Sequence, residues 1–197
     1  MMSANVVLVI TKQHCMQVDM AYFLDIDHWD RKAHFEFYGS FDDPYYNMCA
    51  ELDVTKVLAY SQLHGLSFFH ICLYLCITAA NQTKEFRYRL RDNKVLVHEL
   101  IHPSCTLLND NNTFSFCAFT TTDNFVEFDR LATQAKKHKT PPRLTNNAQE
   151  QEDDLIYFSV IPWVSFKTFT HPKQGGKRNA IPSMGIGKYF AQPFCLF

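Results

Sequence analysis

The sequence predicts an α/β (α+β) two-layer sandwich, with a mostly antiparallel or mixed sheet covered by helices on one face. Three observations carry that class. Short runs of apolar–polar alternation at period two recur along the 197 residues. They are interleaved with stretches of helical period. The 18 Phe and 9 Tyr set against 6 Gly describe an aromatic core, pocket or subunit interface rather than low-complexity disorder. A chain of this length builds one core. Residues 1–19 read as an extension or first strand, and 20–197 as a single domain.

In chain order, "DIDHWDRKAHFEFYGS" predicts an extended lead into a helix over residues 30–38, with Asp30 as N-cap and Gly39 as the stop. "DDPYY" turns. "YYNMCAELDVT" alternates as a strand does, and a helix follows over residues 55–63. Gly65 separates it from an apolar helix over residues 68–81, bulky enough on all sides to be largely buried. "FRYRL", the turn "RDNK" and "VLVHEL" predict a hairpin. "TFSFCAFTT" is a strand with Phe114 and Phe116 on one face, and "NFVEFDRLATQAKKHK" is an amphipathic helix with its basic end at the C-terminus. "TPPRLTNNAQEQEDD" is a loop. Strands follow at "LIYFSVI", "VSFKTF" and, after the loop "HPKQGGKRNA", at "MGIGKYF". No internal repeat is visible.

A formal net charge of -1 provides no field to collect nucleic acid or anionic membrane. The partners are therefore expected to be small molecules or other protein chains. The 7 cysteines, an odd number lying mostly in apolar runs, argue for a reducing compartment, and the cytoplasm is the expected location. "VVLVI" is too short for a signal core, and no clean apolar run of about 18 residues occurs. Cys72 and Cys76 share a helical face, but His70 points elsewhere, so packing is favoured over metal and no metal is expected.

The residues alone single out two polar side chains. Ser159, among aromatics on a strand pattern, needs a partner if buried; the ordinary alternative is a bond to its own backbone. Arg31 lies between Trp29 and an aromatic run, where a packed guanidinium requires a carboxylate; the ordinary alternative is a surface arginine. The histidines form no spacing suggestive of a triad, and there is no phosphate-cradling glycine loop.

Seven segments in order, "HWDRKAHFEFY", "ELDVT", "EFRYRL", "HPSCT", "TFSFCAF", "SVIPWVSFKTF" and "IPSMGIGKYF", resemble the chloramphenicol acetyltransferase family over residues 23–189. The resemblance implies acetyl transfer from acetyl-coenzyme A to the primary hydroxyl of chloramphenicol, in a homotrimer with sites between subunits. It implies that Ser159 donates to the tetrahedral intermediate, that Arg31 holds an ion-pair position, and that Phe37, Tyr38, Tyr46, Phe169 and His171 line the antibiotic pocket. His171 stands where the family can carry leucine, and Gly185 where some members carry a water-holding threonine. The family's general-base histidine and the aspartate paired with its arginine belong to a His-His-Ala-Val-Cys/Ser-Asp-Gly motif beyond the strand resembling "MGIGKYF". Residues 190–197 contain neither. The domain is thus expected to lack its C-terminal segment, the general-base His to be absent, and Arg31 to be a costly charge wherever it is buried. Two functions follow: an acetyltransferase of this type, or a non-catalytic remnant that binds a ligand or sibling subunits.

Overall fold

The computed structural model describes residues 21–138, 153–170 and 180–188. The expectations for residues 1–19, the 140–152 loop, His171, the 171–179 loop and the residues after Lys188 lie outside the described residues. Strand β1 is Tyr22–Phe23, followed by helices α1 (Lys32–Gly39), α2 (Thr55–His64) and α3 (Phe68–Gln82). Next come β2 (Tyr88–Arg91), β3 (Lys94–Val97), β4 (His102–Leu108) and β5 (Phe114–Ala118), then α4 (Phe125–Ala135), β6 (Leu155–Val160) and β7 (Ser183–Ile186).

The strands form two sheets. One is antiparallel in the order β1-β3-β2; the other has the order β5-β4-β6-β7. In the second, β4 and β5 are antiparallel, whereas β4 with β6 and β6 with β7 are parallel, so the mixed α/β expectation holds. The β2–β3 hairpin turns through Asp92 and Asn93, both at positive φ (48° and 58°), the backbone a tight two-residue connection needs and short polar side chains tolerate.

Local chemistry sets the helix ends. Ser67 accepts from the backbone N–H of His70 at the start of α3, and Asn124 accepts from Val126 and Glu127 at the start of α4. Gly65 closes α2 in the left-handed region at φ 61°. The core forms where α3 and α4 cover one face of the four-stranded sheet. Leu73, Ile77, Phe128 and Ala132 meet Ile101, Cys105, Cys117, Ile156 and Phe158 there. Burying one such large side chain stabilises the fold by about 1.5–3 kcal/mol.

Several expectations are corrected. Asp30 does not cap α1; Arg31 occupies the N-cap without a side-chain bond. The alternating stretch 45–54 forms no strand, because its apolar residues do not enter the core: Tyr46, Met48 and Leu52 are exposed. "VSFKTF" likewise forms no ladder, since Phe166 and Phe169 pack across β7 instead. The first residues of "FRYRL" belong to a 3-10 turn, Lys84–Arg87, and β3 ends before "HEL". Helix α3 is buried on one side only, with Leu75 exposed on the other. The basic end of α4 continues as a 3-10 turn, Lys136–His138.

One polar network ties the two sheets together. Arg89, on β2 and fully buried, donates to the carbonyls of Asp153 and Leu155 at the start of β6, and to those of Phe86 and Tyr88. Burial pushes its guanidinium down to about 10. The Asp153 carboxylate, itself buried, accepts a two-pronged bond from Arg91 at 2.7 and 2.8 Å and one from His98 Nε2 at 2.8 Å.

Candidate functional site

The site follows from the pleat of the four-stranded sheet. Side chains alternate between faces along each strand. The helix-covered face takes Cys105, Cys117, Ile156, Phe158, Met184 and Ile186. Ser159 therefore belongs to the other face, with Tyr157 on its own strand. Register brings more residues to that face: Gly185 opposite Ser159, Ser183 opposite Tyr157, and Ser104 opposite Tyr157 from the other side. From the β4–β5 hairpin come Thr106, Leu108, Phe114 and Phe116. Leu108 is exposed, and Phe114 and Phe116 pack edge to face with centroids 5.6 Å apart. Ser159 is half-buried on the same face.

Over β7 the face is roofed. A Cβ built on Gly185 meets Phe169 at 3.1 Å and Phe166 at 3.3 Å, so glycine is what lets the rings lie this close to the ladder. The two rings are 5.2 Å apart. A strap from the other end of the chain holds them: the Asn47 side-chain amide donates to the carbonyl of Phe169, and the Cys49 thiol lies 3.8 Å from the carbonyl of Phe166. Tyr46, next to Asn47, is 87 % exposed. Gly185 thus supplies the room in which the two aromatic rings lie.

The structure accordingly brings Ser159, Phe169 and the segment carrying Tyr46 into one neighbourhood. Phe37 and Tyr38 are on α1, where with Phe41 they form an exposed knot with centroids 5.1 to 5.5 Å apart. Arg31 is a surface arginine, the ordinary alternative for this position. Its guanidinium is 61 % exposed and bonds to Glu85 at 3.0 Å, so solvent screens the ion pair and leaves little net stabilisation. The row Leu108, Phe114 and Phe116 was not identified as sharing the face of Ser159. Alternation within "TFSFCAF" pairs the two phenylalanines, but only register places them, across β4, on the same face as Ser159.

A second polar pair bridges α3 and α4. His70 is buried, and its Nδ1 lies 2.7 Å from Asp129 Oδ1; a carboxylate only accepts, so Nδ1 donates. Its Nε2 is buried and has no partner among the described residues. The cysteines of α3 are packing groups: burial pushes the Cys72 thiol up to about 11, with Cys76 adding to the effect. Among the described residues no group of three or more His, Cys, Asp or Glu is arranged to hold a metal, and no helix is long and apolar enough to cross a membrane.

A mixed sheet backed by α3 and α4 on one side, with Ser159 and aromatic side chains on the other, defines a two-layer α/β domain. The family profile for chloramphenicol acetyltransferase matches residues 20–196, and the chain belongs to that family. It is 30% identical over 177 residues to a chloramphenicol acetyltransferase of Clostridium butyricum, covering 88% of this chain and 80% of the relative. The corresponding protein of Clostridium perfringens is 29% identical over 171 residues, covering 86% and 78%. A solved chloramphenicol acetyltransferase structure superimposes with a TM-score of 0.79 at 25% identity, covering 88% of this chain and 84% of that one.

Proposed function

We propose that the chain's site serves O-acetylation of chloramphenicol by acetyl-coenzyme A, with Ser159 as donor to the oxyanion. The observation that carries this reading is the position of Ser159 on the face of the sheet opposite α3 and α4, beside Gly185, over which the rings of Phe166 and Phe169 lie.

The acceptor hydroxyl oxygen attacks the thioester carbonyl carbon, and the carbonyl oxygen takes the electron pair. A hydroxyl aimed at that oxygen stabilises charge that develops only in the transition state. Collapse expels coenzyme A as its thiol and leaves the acetyl ester. Flat aromatic walls suit a nitrophenyl acceptor. Phe169 and Tyr46 serve as walls, together with Phe37, Tyr38 and His171. Removal of the acceptor proton requires a base within hydrogen-bond reach. Residues 1–197 hold no His-His-x-x-x-Asp-Gly segment, and that step is not assigned to a residue of this sequence. A homotrimer in the cytoplasm is part of the same proposal.

The test is release of free coenzyme A thiol by the purified 197-residue chain, with and without chloramphenicol. Acceptor-dependent release that saturates supports the reading. No release, combined with saturable chloramphenicol binding by calorimetry, would replace it with the second one: a binding protein of the family without turnover. Neither release nor binding would sink both.

A further inference from the structure

Cys105 on β4 and Cys117 on β5 are direct partners in the antiparallel ladder. The bonds Phe119 N–H to Pro103 C=O (2.9 Å) and Asn109 N–H to Thr113 C=O (2.8 Å) flank the pair in the same register. Bonds in such a ladder join every second pair, so Cys105 and Cys117 fall on a hydrogen-bonded position, where Cα atoms are about 5.5 Å apart. That spacing is within the range a disulfide bridges, and residues opposite one another point to the same face. Both thiols face the core, 2% and 4% exposed, and both are reduced. The acetyl-transfer reading uses neither. As thiols they fill space; burial and the nearness of Cys117 push the Cys105 thiol well above the ordinary range, so reaction requires local opening of the hairpin.

We propose that Cys105 and Cys117 form a latent disulfide site, closed by exchange with a low-molecular-weight disulfide and linking edge strand β5 to central strand β4. One protein thiolate attacks a sulfur of the small disulfide and releases one small thiol, giving a mixed disulfide. The second protein thiolate then attacks the protein sulfur and releases the other small thiol. Two protein thiols are oxidised and one small disulfide is reduced to two thiols, with the protons passing to them. On β6, Phe158 is the register partner of Cys105 and directly precedes Ser159, so the link would form one strand away from the candidate oxyanion donor.

The sequence supplies its own assay. No Lys or Arg lies between Lys94 and Arg130, so trypsin releases both cysteines on one peptide, residues 95–130. The full chain is equilibrated in glutathione mixtures from fully reduced to mostly oxidised, quenched with N-ethylmaleimide under denaturing conditions, digested and weighed. The expected result is a peptide that loses two hydrogens and both alkyl groups together as the mixture becomes oxidising, and regains both labels after dithiothreitol. Two labels on that peptide in every mixture, a glutathione adduct on one cysteine alone, or either cysteine joined to a third would overturn the proposal. In a Cys117→Ser chain Cys105 should not close a bond within the peptide; the wild-type mapping stands without that variant.

Discussion

Ser159 on β6 and Gly185 on β7 are partners in a parallel ladder, and Phe169 and Phe166 lie directly over the glycine. The serine's neighbourhood is therefore shaped by a residue with no side chain. Gly187, one step along the same face, is tighter still: a Cβ there would lie 2.9 Å from a Phe166 ring carbon and 3.2 Å from the backbone oxygen of Val164.

Gly187→Ala should consequently destabilise the protein by about 1–3 kcal/mol, the usual range for forcing a methyl group into filled space. Gly185→Ala should cost less, because its contacts, at 3.1 and 3.3 Å, are with rings that can swing aside. Urea midpoints of the two variants decide this. Equal midpoints for Gly187→Ala and wild type would show that Phe166 does not hold its place over β7.

Ser159→Ala removes one hydroxyl from the open face. If that hydroxyl meets the oxyanion, coenzyme A release should slow by about 10²–10³-fold in kcat, with KM much less affected. A variant that raises KM and leaves kcat alone would demote Ser159 to a ground-state contact.

Much of this was legible in the sequence, and the failures have physical causes. The helix at "FVEFDRLATQA" was readable because cap and apolar period agree, that at "FFHICLYLCITAANQ" from its apolar run behind Ser67, and that at "TKVLAYSQLH" from the Gly65 stop. Strand β4 carries a weak signal in the sequence, since Pro103 argues against a central strand; it is accommodated near the strand's start, where Phe119 still bonds to its carbonyl. The stretches around Tyr46 and Phe169 alternate like strands, yet the first bonds through Asn47 and Cys49 to the backbone of the second, whose rings pack over β7, a choice made by tertiary contacts alone. Ser159 was visible through family resemblance. That Phe114 and Phe116 share its face needed the β4–β6 register, which pairs residues more than 40 positions apart in sequence and leaves no local trace. Arg91 was a usable signal for a charged hairpin, but the carboxylate it binds, Asp153, lies 62 positions further along the sequence.

That carboxylate should be the costliest polar group to delete. Asp153→Ala strips the partner from His98 and both prongs from Arg91 in a buried site, a loss of about 3–5 kcal/mol. Arg91→Ala should cost clearly less, because Arg91 is 42% exposed and water replaces its partner. Thermal or urea unfolding of the two variants ranks them; the opposite order would mean that Asp153 is not the hub of the network.

The same network predicts a pH dependence with a definite sign. Burial lowers the pKa of His98 from its ordinary value near 6.5, outweighing the attraction of Asp153 at 2.8 Å. The folded state thus favours neutral imidazole, with Nε2–H donating to the carboxylate. The unfolded chain binds a proton more readily, so the contribution of His98 is fully present above the unfolded value and is lost as pH falls toward the lowered folded one. Stability should therefore decline as pH falls through about 6.5, before the exposed carboxylates of Asp25 and Asp53, which bonding holds below their usual range, begin to titrate. His98→Gln keeps an amide donor for Asp153 and removes the titration. Its urea midpoint should change less with pH over that window than that of wild type; an unchanged slope would assign the acid sensitivity to another group.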